Sequence, residues 1–60
     1  MRYYYISKNI LVEEDEGLGL ILKFRNGTPD KKEIDRVLKL CGFKIKEVKR
    51  KYLKLEVANA

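Results

Sequence analysis

A change of hydrophobic period at Gly42 constrains this chain more than any other feature of its sequence. Before it, Ile34, Val37, Leu38 and Cys41 recur at helical spacing, with Lys31, Lys32, Asp35, Arg36 and Lys39 on the opposite side. After it, Phe43, Ile45, Leu53, Leu55 and Val57 share one parity against Lys44, Lys46, Lys54 and Glu56, the alternation of half-buried strands. Thr28-Pro29 supplies a helix start, because a Thr hydroxyl accepts from the free N–H groups of the first turn and Pro at the first helical position loses only an unpaired donor. Asp30 with Glu33 offers a second cap one register later. The spacing predicts a helix over 29–41, closed by Gly42 in the left-handed conformation with Phe43 folding back onto Leu38. Residues 28–57 therefore read as one helix followed by one β-hairpin.

Upstream, Tyr3-Tyr4-Tyr5-Ile6 and Ile10-Leu11-Val12 are strand formers, and Tyr4, Ile6, Ile10 and Val12 would line one face of a long strand. Lys8 breaks that pattern and marks a bulge or a break. Glu13 to Gly17 reads as a solvated acidic turn, since adjacent carboxylates do not give the ligand spacing of a calcium loop. Leu18, Leu20, Leu22 and Phe24 then alternate as a second strand, and Asn26-Gly27 turns the chain into the helix. The order is β-β-α-β-β: an α+β fold, one domain over residues 1–60, with one helix packed on one face of an antiparallel sheet. Its expected core is the apolar parity of these strands, from Tyr4 and Leu18 to Val57, with Cys41 and the rest of the helical stripe.

A chain of 60 residues buries only about 60% of the surface its unfolded form exposes, which leaves no volume for a buried cleft. There is no His and a single Cys, so no nucleophile-base pair, intrachain disulfide or metal-ligand spacing can be assembled. The expectation is a non-enzyme without catalytic residues, metal or cofactor. No charged segment leads into an apolar run, and no apolar run nears the roughly 18 residues of a membrane span, so a cytoplasmic location and no membrane partner are expected. Richness in Lys, Glu, Ile and Leu without Gln leans towards a thermophilic source.

Charge decides where a partner would dock. Residues 1–30 carry four Lys/Arg against five Asp/Glu, net −1, and residues 31–60 carry ten against four, net +6. Lys49, Arg50 and Lys51 form the tip of the second hairpin, where the period-2 pattern slips near Glu47 and Val48. Lys44, Lys46, Tyr52 and Lys54 flank that tip, and Lys23 and Arg25 share the sheet face away from the helix. Cations that neutralise phosphates beside a ring that stacks on bases suit nucleic acid, with RNA or single strands favoured. The competing expectation is a protein partner, a second copy included, covering an apolar patch of Tyr3, Tyr5, Leu11 and Ile21 on the same face.

The segment Leu-Cys-Gly-Phe-Lys-Ile-Lys-Glu-Val-Lys-Arg-Lys-Tyr-Leu-Lys-Leu-Glu-Val, residues 40–57, resembles the helix end and hairpin of the PurS subunit of the purine-synthesis amidotransferase complex. Arg50 stands where that family has Gly. The same unit is similar to HicA-type RNA-cleaving toxins, which use a hairpin His absent here, and to the helix-hairpin part of LAGLIDADG homing endonucleases without their acidic helix. Three unrelated families sharing one segment imply a common supersecondary unit, and no functional residue is carried from any of them.

Overall fold

Asp30, rather than Thr28, starts the helix. In the computed structural model, which describes residues 2–58, α1 runs Lys31–Cys41, and the Asp30 carboxylate accepts the Glu33 N–H at 3.1 Å. The second of the two caps is thus the one used, and Pro29 lies outside the helix because the Asp30 side chain reaches the third N–H one register later. Gly42 closes α1 at φ 81°, donating its N–H to the Leu38 and Lys39 carbonyls. Phe43 packs against the cluster that contains Leu38.

The α+β class, the antiparallel sheet and the single helix are as the sequence reading expects. The first expected strand, however, is folded back on itself. β1 (Arg2–Tyr5) and β2 (Ile10–Asp15) pair antiparallel, with Tyr4 opposite Val12. The break falls around Lys8, where the Ile6 and Ser7 N–H groups both donate to the Ile10 carbonyl at 2.8 and 3.2 Å. β3 (Gly19–Phe24) follows, then after α1 come β4 (Phe43–Val48) and β5 (Leu53–Val57), in the sheet order β1-β2-β3-β5-β4. Glu13, Glu14 and Asp15 lie in β2 rather than in the turn. The turn is tighter than the acidic run, because Asp15 accepts the Gly17 and Leu18 N–H groups at 2.8 and 2.9 Å and Gly19 takes φ 86°.

The core joins Ile10, Val12, Leu22 and Leu55 of the sheet to Ile34, Val37 and Leu38 of α1. Ile6, Leu20, Phe24, Phe43, Ile45 and Leu53 pack half-buried around it. Four expected core residues are exposed. Tyr4 sits on β1, the edge farthest from β4, the strand against which α1 leans. Leu18 belongs to the turn, and Val57 ends β5 with only half-buried Phe43 opposite it. Cys41 is exposed because it is the last helical residue: the chain reverses at Gly42, and Phe43 reaches the core in its place.

Candidate nucleic-acid interface

β3 and β5 pair over only three residues, ending at Leu22 opposite Leu53. Beyond that point β3 continues to Phe24 while β5 gives way to the hairpin tip, and the two diverge. The tip is where the sequence places it: the Lys49 N–H donates to the Tyr52 carbonyl at 2.9 Å, with Arg50 and Lys51 at the bend. Between the diverging segments lies an open groove of about 440 Å³, lined by Lys23 and Phe24 on one side and by Lys49, Arg50, Lys51 and Tyr52 on the other. No carboxylate lines it.

The remaining expected cations lie elsewhere. Lys44 faces Glu56, and Lys54 faces Glu47, on the side of the sheet away from α1. The register slips between Ile45 and Glu47, so that two residues of β4, Lys46 and Glu47, oppose one of β5. This bulge is the source of the broken alternation in the sequence, and it turns Glu47 outwards while Val48 falls opposite Leu53. Val48 stays solvent-exposed nonetheless, since it lies on an edge strand near the tip. Arg25 directly follows Phe24 but turns towards β1, its guanidinium 5.9 Å from the centre of the Tyr5 ring, where the charge meets the ring's negative face.

The apolar patch expected on that face does not form as a unit. Tyr3 and Tyr5 are exposed, Leu11 is half-buried, and Ile21 is only 4% exposed. Ile21 occupies a central strand between Glu13 on β2 and Lys54 on β5. The stem of Lys54 lies across the face beside Ile21, its Cε within 3.8 Å of where a Cβ on Gly19 would sit. Glu13, which the acidic-turn reading set aside, is 5% exposed and receives the Lys23 ammonium at 2.7 Å. Alternation did contain that signal, because Glu13 has the parity of Leu11 and lies in a strand once the turn is confined to 16–18.

Two of the groove cations are therefore engaged, Lys23 by Glu13 and Lys49 by Glu47 at 2.9 Å, while Arg50 and Lys51 have no carboxylate partner among the described residues. The hydrogen bond from the Lys49 ammonium, and then its charge, holds the Glu47 carboxyl below the ordinary 4.5, and the same contact holds Lys49 above 10.5. A depressed carboxyl stabilises the fold at pH above 4.5, and that contribution disappears as pH falls through its lower midpoint; the raised Lys49 contributes below 10.5 and loses its contribution as pH rises through its higher one. NMR titration is expected to find the Glu47 midpoint below 4.5, returning towards it in Lys49→Ala. An unchanged midpoint in that variant would remove the pair.

No three metal-ligating side chains converge among the described residues, and none of their helices is long and apolar enough to cross a membrane. Comparison of the chain with protein-family models, with curated proteins and with solved structures gives no match.

Proposed function

We propose that the protein is a non-catalytic module that binds nucleic acid, RNA or single strands in preference to duplex, along the groove between β3 and the β4–β5 hairpin tip. The observation that carries this reading is the groove itself: four cations and two aromatic rings around one open channel, with no carboxylate among its lining residues. Unpaired bases offer a π-face to a ring such as Tyr52, and the phosphates that follow them need cations at the rim. Its volume suits a base and its sugar, within the roughly 300–1,000 Å³ typical of small-ligand sites, and its open ends let a strand pass through. Arg50 and Lys51 are the phosphate contacts, because their charges are not already met by a carboxylate of the described residues.

Titration against single- and double-stranded oligonucleotides over a series of salt concentrations tests it. Single strands are expected to bind more tightly, with an affinity that falls steeply as salt rises. Changing Arg50 and Lys51 together to Ala should flatten the slope of log affinity against log salt by about 1.5–2, the counterion release of two contacts. Affinities no tighter than about millimolar at low salt for every oligonucleotide would sink the reading.

A further inference from the structure

We infer that β1 is a self-pairing edge, through which two copies of the chain join their sheets antiparallel about a two-fold axis. The inference is independent of nucleic-acid binding and starts from the backbone. In an antiparallel ladder, residues that exchange hydrogen bonds with the neighbouring strand alternate with residues whose N–H and C=O point away. The Ile6 N–H donates to the Ile10 carbonyl, and the Tyr4–Val12 pair continues the same register two residues on. Tyr4 is thereby bonded to β2, and the main-chain groups of Tyr3 and Tyr5 point out from the sheet. The Arg25 N–H donating to the Asn9 carbonyl at 2.9 Å fixes the same parity from the other side of β2.

A second copy satisfies those groups without any change of conformation. Placing Tyr4 on the axis sets Tyr3 opposite Tyr5 of the other copy, twice over, in the two positions whose N–H and C=O face outwards, which allows four hydrogen bonds. Tyr3 and Tyr5 share the open face, so each of those pairs is also an aromatic cross-strand pair, while Tyr4 meets its own counterpart on the helix side. All four residues of β1 are exposed, Tyr3 at 64%. The charge distribution selects this edge over the other. β4 carries three charges, Lys44, Lys46 and Glu47, and is interrupted by its bulge, both of which oppose pairing with a like strand, whereas β1 is regular and has no charge after Arg2. With β4 four strands away from β1, the cationic hairpins of the two copies end up on the outer edges, where they do not repel each other.

Tyr5→Pro tests the edge, because it deletes an N–H that points outwards and spares the ladder between β1 and β2. Sedimentation equilibrium of the parent chain at about 100 µM is expected to give twice the 7.1 kDa of one copy, and Tyr5→Pro is expected to give one copy with an unchanged far-ultraviolet spectrum. Hydrogen exchange on the parent chain provides a second readout that needs no variant. The Tyr3 and Tyr5 amides should exchange at least ~10-fold more slowly at dimeric than at monomeric concentration, whereas Tyr4 is protected at both. A parent chain that remains monomeric at about 1 mM overturns the inference. So does a dimer in which the Tyr3 and Tyr5 amides exchange freely, which would place the contact on another surface.

Discussion

Leu38→Ala is expected to lower the free energy of unfolding by roughly 2–5 kcal/mol, the cost of deleting a buried isobutyl group and leaving a cavity the surroundings only partly fill. Leu38 is 3% exposed and belongs to the cluster in which α1 meets Ile10, Val12, Leu22 and Leu55. A 60-residue domain has a total stability of roughly 3–9 kcal/mol, so this one change removes a large part of it. Leu40, two positions on in the same helix and 75% exposed, provides the contrast. Leu40→Ala should stay within about 0.5 kcal/mol of the parent. Urea unfolding checks both: similar midpoints for the two variants would mean that α1 is not held by this face.

Tyr52→Ala is expected to weaken single-strand binding by roughly 1–3 kcal/mol while leaving its salt dependence nearly unchanged. The two halves of that expectation separate stacking from charge, since a ring releases no counterions. The hairpin tip should survive the change, because Tyr52 closes it through its main-chain carbonyl, which accepts the Lys49 N–H whatever the side chain is. Parallel titrations of Tyr52→Ala and the Arg50, Lys51 double variant give the comparison. If both flatten the salt slope alike, or if Tyr52→Ala binds as the parent does, the ring is not a stacking surface and the groove is a purely electrostatic one.

What the sequence made legible, and what it hid, follows from the range over which each signal acts. The helix, its Gly42 end and the hairpin tip at Lys49 to Lys51 depend on neighbours a few positions away, and local chemistry settles them. Which cap starts α1 was a choice between two local solutions, Thr28 and Asp30, that differ by two positions. The split of the first strand into β1 and β2 was marked by Lys8, but a bulge and a reversal break alternation in the same way. Glu13 misled because carboxylates usually mark turns; here the Asp15 side chain and Gly19 make the turn, which frees Glu13 for the strand. Ile21 has the parity of the open face and is nevertheless covered, because burial there depends on which strands flank it, and strand order is not written in periodicity. The groove depends on the same unread quantity: Lys23 and Phe24 meet the hairpin tip only because β5, not β4, lies beside β3.

The short seam between β3 and β5 also sets how the chain reaches this structure. Every other strand pairing joins consecutive strands, β1 with β2, β2 with β3 and β4 with β5, so each can zip from its own turn with little loop entropy to overcome. Among the strand pairings, the seam alone links the three-stranded meander to the helix-hairpin half, with three residue pairs to set the register, while α1 packs across it onto Ile10, Val12 and Leu22. On this topology the non-local seam has the larger loop entropy to overcome, so it is expected to form after the local pairings. Of the four strand pairings it has the fewest residue pairs to hold it. The groove begins where that seam ends, so anything bound between Phe24 and Tyr52 grips both halves and slows their parting.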